Sequence, residues 1–104
     1  MAEVIWTEPA LNDLDAIADY IAIDNPVAAR NWVRRVFRHV EQLIVHPNSG
    51  SKPPELRGWR YRQIIESPCR IFYRCDRRNV YVLYVMRGER RLGKSVLIER
   101  DGGK

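Results

Sequence analysis

The sequence lacks any apolar run of about 20 residues, the length that a helix needs to cross a membrane. Its first ten residues, MAEVIWTEPA, also lack the basic stretch followed by an apolar one that begins a secretory signal. We therefore expect neither a membrane partner nor export, and the expected location is the cytoplasm. The 104 residues are enough for one modest core, so they are predicted to form a single domain, residues 1–104.

Motifs for several common enzyme chemistries are also absent. The sequence contains no glycine-rich phosphate loop, no His-Glu-x-x-His zinc motif and no Gly-x-Ser-x-Gly nucleophile motif. Its two cysteines, Cys69 and Cys75, would lie roughly 20 Å apart on one extended strand. A disulfide needs Cα atoms within about 7 Å, so these two cannot pair along that strand. With His39 and His46 they fit no zinc spacing, and we predict no metal and no cofactor.

Positive charge is missing from the first part of the chain. Residues 1–29 contain six acids and no Lys or Arg, so residues 30–104 carry all 18 basic residues against seven acids. Most of the basic residues are arginines, which can bind carboxylates and phosphates through two parallel hydrogen bonds. This asymmetry indicates an acidic partner, either a protein or a nucleic acid. The alternative is a basic surface that only aids solubility.

Two helices are predicted in the first half of the chain. Residues 4–7 are typical of a short strand, and Thr7 is placed to cap the first helix. Asn25 and Pro26 are suited to begin the second helix, which ends before Pro47. A short connection makes the two helices an antiparallel hairpin. The apolar stripe of the first comprises Leu11, Leu14, Ile17, Ala18 and Ile21, and that of the second Ala29, Val33, Val36, Phe37, Val40, Leu43 and Ile44.

Three strands are predicted after a loop rich in proline and glycine, residues 47–58. They cover residues 59–66, 69–76 and 80–87, and the short connections between them predict an antiparallel meander. The predicted fold class is therefore α+β. An N-terminal short strand and an antiparallel helix hairpin pack on a C-terminal antiparallel β-meander.

The third of these strands, VYVLYVM, is apolar on both faces. A strand of this kind is expected in the interior of a sheet that is covered on both sides. The helix hairpin can cover only one face, so the C-terminal tail or a partner chain is expected on the other. Residues 96–98 are predicted to dock on the sheet as an extra strand or turn, and residues 101–104 to be disordered.

Arginines and aromatic residues gather on and after the predicted strands. One group shares a sheet face, and a second follows the last strand. The first group is Arg60, Arg62, Arg70 and Arg74, with Trp59, Tyr61 and Phe72 interleaved, and the second is Arg87, Arg90 and Arg91. Arginine with aromatic residues suits single-stranded nucleic acid, through phosphate pairing and base stacking. It equally suits a protein interface, and a solvated strand face is the third interpretation.

Four segments of the sequence resemble the RelE/ParE toxin superfamily, and ParE more closely than RelE. Together they span most of the chain: Leu11–Ala29, His46–Leu56, Tyr61–Arg74 and Val80–Leu92. The Asp-Asn-Pro joint between two helices and the strand sequence Cys-Arg-Ile-Phe-Tyr-Arg carry the resemblance in combination. The expected fold is therefore RelE/ParE-like.

The resemblance implies a bacterial toxin of a type II toxin–antitoxin system that inhibits DNA gyrase, and hence replication, without being an enzyme. It would form a hetero-oligomer with a ParD-like antitoxin that covers the helix hairpin and a sheet edge with an amphipathic, largely acidic segment. DNA would be contacted only through the antitoxin. The predicted target-binding residues are Trp59, Arg70, Arg87, Arg90 and Arg91. The predicted antitoxin-binding residues are Arg34, Arg38, Arg60, Arg62, Phe72 and Arg74.

RelE-type toxins offer the alternative function, cleavage of messenger RNA on the ribosome, which would make the protein an enzyme. Basic residues would then activate the 2′-hydroxyl and stabilise the phosphorane, and the candidates are Arg62, Arg70, Arg87 and Arg90. RelE-type toxins also commonly use a tyrosine or histidine near the C-terminus, and residues 88–104 contain neither. This favours gyrase inhibition, although a cation alone can stabilise a developing charge. A detoxified member that acts with its antitoxin as a DNA-binding autorepressor is the third hypothesis.

Overall fold

The computed structural model describes residues 3–88 and 90–102 of the chain. Within these residues the chain forms a four-stranded sheet with two long helices on one face and a short helix on the other. The elements in chain order are β1 (Glu3–Trp6), α1 (Glu8–Asp24), α2 (Pro26–Glu41), β2 (Arg62–Glu66), β3 (Cys69–Cys75), β4 (Asn79–Arg87) and α3 (Lys94–Arg100). The α+β class predicted from the sequence is confirmed, whereas the single domain stays a prediction.

Two polar side chains set the boundaries of the hairpin helices. The Thr7 hydroxyl accepts a 3.4 Å hydrogen bond from the N–H of Ala10, and it donates a 2.8 Å bond to the carbonyl of Val82 in β4. Asn25 follows the last residue of α1, and its Oδ1 accepts a 3.0 Å bond from the N–H of Ala28 in α2. Each oxygen satisfies an N–H that the first turn of a helix leaves unpaired. Both caps agree with the sequence prediction.

The sheet has the strand order β1-β4-β3-β2. Strands β2, β3 and β4 form the predicted antiparallel meander, whereas β1 adds to β4 in parallel, so the sheet is mixed. Val4 lies opposite Val80, and Trp6 lies opposite Val82. The parallel pairing therefore puts β4 in the interior of the sheet, as its apolar sequence predicts.

A β-bulge in the β3–β4 ladder sets which side chains of β4 face each side of the sheet. Phe72 pairs with Tyr84, but the next residue, Tyr73, pairs with Val82, so Leu83 is the extra residue. Val82 and Tyr73 belong to the core under the helix hairpin, whereas Leu83 and Phe72 belong to the core on the other face. Neighbouring residues of β3 therefore face opposite cores, as the alternation of side chains along a strand requires.

The larger core lies between the helix hairpin and the sheet. Trp32 is fully buried there, and its indole N–H donates a 3.4 Å bond to the backbone carbonyl of Glu66 at the end of β2. The predicted stripe of α2 lacks Trp32, although it follows Ala29 by three residues and precedes Val36 by four. The buried members of this core are Ala10, Leu14, Trp32, Val36, Val40, Leu43, Ile64, Cys69, Ile71, Tyr73, Val80, Val82 and Val85.

A smaller core fills the other face of the sheet, and the chain itself supplies the cover. Helix α3 and the 3₁₀ turn Pro54–Leu56 lie over it, with Leu97 of α3 fully buried. An extra strand or turn at residues 96–98 is therefore a wrong prediction, because these residues belong to α3. The doubly apolar β4 is no sign of an obligate partner, since the tail covers its second face. The buried members are Leu56, Tyr61, Phe72, Leu83, Met86, Leu92 and Leu97.

The disorder predicted for residues 101–104 is wrong for Asp101, whose side chain is only 3% exposed. Its carboxylate accepts hydrogen bonds from the guanidinium groups of Arg60 and Arg74, and a 3.2 Å bond from the hydroxyl of Tyr61. A carboxylate held by two charged donors has a fixed position, because charge-assisted bonds are short and strong. Residues 103–104 lie outside the described residues.

Candidate interaction surfaces

Arg70, predicted to contact either a target or an RNA substrate, is occupied within the fold. Its guanidinium forms two 2.8 Å bonds with the Glu55 carboxylate and bonds of 2.7 and 2.9 Å with Oε1 of Gln63. Its side chain is 13% exposed, and its hydrogen bonds lower the pKa of Glu55 from 4.5 to about 2. Arg70 therefore fixes the loop before β2 to the sheet and is not placed to receive a partner.

Arg60 and Arg74, predicted to bind an antitoxin, converge instead on Asp101. The Arg74 guanidinium also lies 4.2 Å from the centre of the Tyr81 ring, and little of its side chain is exposed. Burial, followed by the charge of Asp101, raises the pKa of Tyr61 in the same cluster. Arg74 therefore holds α3 on the sheet, whereas half of the Arg60 side chain still faces solvent.

Arg62, another predicted contact, binds the loop that follows α2. Its guanidinium donates to the carbonyls of Asn48 and Gly50 at 3.3 and 2.8 Å. The Tyr73 hydroxyl holds the same loop, because it donates to the carbonyl of Pro47 at 2.8 Å and accepts from the N–H of Gly50 at 3.0 Å. A Cβ at Gly50 would lie 2.5 Å from this hydroxyl oxygen, so the close approach requires glycine. Burial raises the pKa of Tyr73.

Phe72 and Trp59 differ sharply in exposure. Phe72 is fully buried in the smaller core, with its ring 5.9 Å from that of Tyr84, so its predicted role as an antitoxin contact is wrong. Trp59 is 43% exposed, and its ring stacks on that of Tyr61 at 6.3 Å and 14°. A held but exposed tryptophan suits a binding surface, so Trp59 stays a candidate.

The four arginines of the ribonuclease alternative do not meet at one point. Arg62 lies opposite Tyr73 and Arg87 opposite Cys69, so the two are roughly 13 Å apart along β3. Arg70 follows Cys69 on the same strand and therefore points to the other face of the sheet. These arginines cannot all reach one scissile phosphate in this fold.

A cleft of about 230 Å³ lies between α1 and the end of β4. Arg87 and Arg90, two predicted target contacts, line it together with Tyr20 of α1. The Arg87 guanidinium lies 4.7 Å from the centre of the Tyr20 ring, which is 58% exposed. The sequence prediction missed Tyr20, although it follows Ile17 by three residues and thus lies on the neighbouring turn of the same helix face. Arg91, the third predicted contact of this group, is exposed.

A second groove runs between α1 and α2 on the outer side of the hairpin, with a volume of about 440 Å³. Its floor is made of small and apolar side chains, and acidic and basic residues flank it. The floor comprises Ala18, Ala22, Ala29 and Val33, and the flanks comprise Asp19, Arg30 and Arg34. Two exposed apolar residues, Ile23 and Val27, lie at the joint of the two helices. Of the predicted antitoxin contacts, Arg34 therefore borders a groove that can receive a helix.

Arg38 lies in a basic depression where α2 meets the edge of the sheet, together with Arg35 and His39. Glu66 of β2 accepts a 3.2 Å bond from Nε of Arg35, and its other oxygen lies 3.1 Å from Nδ1 of His39. These contacts join α2 to β2. Arg38 is exposed and stays a candidate contact.

Residues 3–88 and 90–102 contain no cluster of three His, Cys, Asp or Glu side chains that could hold a metal ion. Both cysteines are free thiols. Within the same ranges no helix combines the length and apolar content that crossing a membrane requires. The exposed arginine and aromatic side chains of the surfaces above are suited to recognition of a partner.

Comparisons with known proteins agree with this architecture. The family model described as the ParE toxin of the type II toxin–antitoxin system parDE matches residues 4–92. Toxin Y4kP of Sinorhizobium fredii is 38% identical over 81 residues, which are 78% of this chain and 82% of that protein. Toxin RelE2 of Caulobacter vibrioides is 42% identical over 50 residues, which are 48% of this chain and 57% of that protein.

Among solved structures, a chain of the chromosomal ParDE system from P. aeruginosa matches with a TM-score of 0.68 and 26% identity. The match covers 86% of this chain and 97% of that chain. The RelE2 match spans only half of the chain and does not favour the ribonuclease alternative. The family model, by contrast, spans β1, the hairpin and the whole sheet. The chain therefore belongs to the ParE toxin family of type II toxin–antitoxin systems.

Proposed function

We propose that this ParE-type toxin inhibits DNA gyrase by direct protein contact in the cytoplasm, and that a ParD-like antitoxin neutralises it in a hetero-oligomer. The observation that carries the proposal is the basic group at the end of β4, where exposed Arg90 and Arg91 follow Arg87. Arginine and aromatic side chains supply much of the binding energy of protein interfaces. Inhibition by contact needs no catalytic step, in keeping with the recognition chemistry that the described residues offer.

Three features support contact inhibition over RNA cleavage. The arginines that could stabilise a phosphorane are separated, and Arg70 is neutralised by Glu55. In addition, the side chains of Arg70 and Arg74 are only 13% and 19% exposed, so they offer little surface to an RNA strand. The general acid and base that the reaction uses would also have to come from outside residues 88–104, which hold no Tyr or His.

The set of proposed target-binding residues is therefore smaller than the set predicted from the sequence. Arg87, Arg90 and Arg91 are retained, and Trp59 is retained as an exposed aromatic contact. Arg70 becomes a structural residue, because removing it would leave the Glu55 carboxylate without its partner.

For the antitoxin we propose an amphipathic helix in the outer groove of the hairpin. The alanines of its floor allow close approach of another helix, and apolar side chains of that helix would cover Val33, Ile23 and Val27. Arg34 and Arg38 on the exposed side of α2 favour acidic residues on the polar side of the incoming helix.

A DNA supercoiling assay with purified gyrase tests the target. Active, refolded toxin is expected to inhibit supercoiling, and the double variant Arg90→Glu/Arg91→Glu is expected to weaken inhibition by at least about tenfold. Arg77→Glu is the matched control, because Arg77 is an exposed arginine in the turn at the opposite end of β4.

If folded toxin does not inhibit gyrase, the proposed target is wrong. Primer extension on translated messages then distinguishes the alternative, because A-site cuts would assign the protein to the ribosome-dependent nucleases. Expression without growth arrest would instead support the detoxified autorepressor.

A further inference from the structure

The turn before β2 holds an exposed tryptophan in a fixed position. The backbone N–H of Trp59 donates to the carbonyl of Leu56 at 3.2 Å, which closes a four-residue turn. Arg57 has φ −61° and ψ 137°, and Gly58 has φ 84°, which are the angles of a type II turn. Glycine is required at the third position, because a side chain at this positive φ would be strained. Leu56 is fully buried in the smaller core, so the turn is anchored to the fold.

One face of the Trp59 indole is supported from within the fold. It stacks on the ring of Tyr61, which is fully buried and whose hydroxyl donates to Asp101 at 3.2 Å. Because 43% of Trp59 is exposed, this stack of rings ends in solvent. The indole is therefore a flat apolar surface that is already in place before a ligand binds.

An arginine lies on each side of Trp59 in the chain. Arg57 is exposed and forms no ion pair with a carboxylate of residues 3–88 or 90–102. Half of the Arg60 side chain is exposed, and its guanidinium lies 5.9 Å from the centre of the Tyr61 ring. Asp101 binds this guanidinium, so its position is fixed as well. Two guanidinium groups thus accompany the exposed indole.

The carboxylates closest to the turn already have partners. Asp101 is shared by two arginines, and Glu55 accepts two 2.8 Å bonds from Arg70. Neither carboxylate therefore cancels the charge of Arg57. An anionic ligand that reaches the turn meets a positive charge that the described part of the chain does not neutralise.

A distant segment adds further positive charge to this region. The backbone of Leu92 is hydrogen-bonded to the Glu55 carboxylate, and Leu92 shares the smaller core with Leu56. Arg91 and Lys94 flank this contact, and both are exposed. The surface around the turn is therefore basic on more than one side.

A flat aromatic ring among arginines fits a nucleobase with its neighbouring phosphates. Bases stack on aromatic side chains, and guanidinium groups bind phosphate oxygens. An anchor for a protein partner lies more often in a cluster of apolar residues. From residue 46 to residue 64, however, Trp59 is the one large apolar side chain that is exposed. A duplex keeps its bases stacked in its interior, so the ligand that fits is a single strand.

We propose that the turn of residues 56–60 is a binding site for single-stranded nucleic acid, in which a base stacks on Trp59 and adjacent phosphates bind Arg57 and Arg60. Stacking and phosphate pairing use groups that DNA and RNA share, so the site takes both. Binding there includes no cleavage step, and the inference does not rest on the proposed inhibition of gyrase.

Fluorescence anisotropy of labelled oligonucleotides, titrated with refolded full-length toxin, tests the ligand class. Oligothymidylate and oligouridylate are expected to bind with affinities within about threefold of each other. Two or three phosphate contacts predict that the affinity falls about tenfold between about 50 and 200 mM salt. At the higher salt, a mixed-sequence duplex is expected to bind at least about tenfold more weakly than either single strand, because it offers no base to the indole.

Variants of the turn separate stacking from charge. Trp59→Ala is expected to weaken single-strand binding by about fivefold to a hundredfold, whereas Trp59→Phe keeps an aromatic ring and should stay within about threefold of the wild type. Arg57→Glu should weaken binding by about tenfold at low salt and by less at high salt. Arg77→Glu is the matched control, with the same charge change in the turn between β3 and β4, and should stay within about twofold.

Tryptophan emission reports the stacking itself. A base on the exposed indole is expected to quench the emission of Trp59, whereas Trp32 is fully buried and should not respond. In Trp59→Phe this quenching should disappear, although anisotropy still shows binding.

Circular dichroism confirms that each variant is folded before titration. The inference is overturned by wild-type affinity of Trp59→Ala, by equal losses in Arg57→Glu and Arg77→Glu, or by a duplex that binds as tightly as the single strands at the higher salt. It is also overturned if Trp59→Ala weakens gyrase inhibition but not oligonucleotide binding, because the turn is then a protein contact. A toxin that binds single strands through Trp59 without inhibiting gyrase supports the inference, although the proposed target would be wrong.

Discussion

The two faces of the sheet are covered in different ways. On one face, a hairpin of two long helices packs over a large apolar core. On the other face, the short helix α3 is held in large part by charged side chains. The hairpin core contains Trp32 and a dozen other buried residues. The α3 core has about half as many, and its cover is secured by Asp101 at the end of α3 and by the Arg100–Asp13 pair. The two faces thus use different physical means for the same task.

This difference teaches what each cover depends on. Burial of apolar surface varies little with pH, whereas a carboxylate–guanidinium contact is lost when the carboxylate is protonated. The hairpin cover should therefore vary less with pH than the other side of the sheet, where Arg70 lowers the pKa of Glu55 to about 2. Because charged contacts hold this side of the sheet together, arginines such as Arg70 and Arg74 bind carboxylates within the fold and act as structural residues.

The largest expected effect is on the hairpin side. Trp32→Ala removes the largest buried side chain of that core, and we expect it to lower the free energy of unfolding by about 3–5 kcal/mol. Urea unfolding followed by circular dichroism measures the change. Trp59→Ala serves as the matched control, because this tryptophan is partly exposed and its loss should cost less than about 1 kcal/mol. Equal losses of unfolding free energy in the two variants would contradict the proposed contribution of the hairpin core to stability.

The next effect concerns the end of α3. Asp101→Asn removes the charge that Arg60 and Arg74 share. It leaves the little-exposed Arg74 with only its longer, 4.0 Å contact to Asp76, so we expect a loss of about 2 kcal/mol in the free energy of unfolding. Hydrogen exchange should quicken in α3, near Leu97, and stay unchanged in α1. Uniform acceleration in both helices would mean that α3 does not open independently.

A third effect tests the pH dependence of the α3 side through Glu55. The folded-state pKa of Glu55 is lowered to about 2 from 4.5, so the stabilisation is complete above about pH 4.5 and is lost as the pH falls through about 2. Glu55→Gln is expected to cost about 1–2 kcal/mol at pH 7. The gap from the wild type should shrink below pH 4.5 and close near pH 2, as measured by urea unfolding at several pH values. A difference in unfolding free energy between the wild type and Glu55→Gln that stays constant down to pH 2 would contradict the lowered pKa of Glu55.

The smallest expected effect compares one arginine from each side. Arg34→Ala, on the exposed flank of the hairpin groove, should change stability by less than about 0.5 kcal/mol. Arg74→Ala should cost more, because it breaks the contact with Asp101 and the stacking on Tyr81. Thermal melts of both variants measure the two losses of stability. A loss for Arg34→Ala as large as that for Arg74→Ala would contradict the proposed difference between the two sides.

Local signals in the sequence predicted much of the fold. Thr7 and Asn25 set the helix boundaries, and the apolar sequence of β4 placed it in the interior of the sheet, because both signals depend on neighbouring residues. The parallel pairing of β1 with β4 and the bulge at Leu83 were not visible, since both depend on residues distant in the chain.

The candidate site was predicted less well for the same reason. Residue type places Arg70 and Arg74 among binding arginines, but only the folded chain brings Glu55 and Asp101 to them. Tyr20 was missed because an exposed tyrosine on a helix has no signal until the end of β4 packs beside it.

The parallel pairing of β1 with β4 also has a consequence for synthesis of the protein. Thr7 binds Val82, 75 residues later, and Asp13 binds Arg100, 87 residues later. These contacts of the N-terminal residues can form only after the last third of the chain has been synthesised. Such distant contacts slow folding, because long loops must close before they form. A message truncated before β4 would encode a product without the interior strand of the sheet, and a nonsense mutation there should abolish toxicity outright.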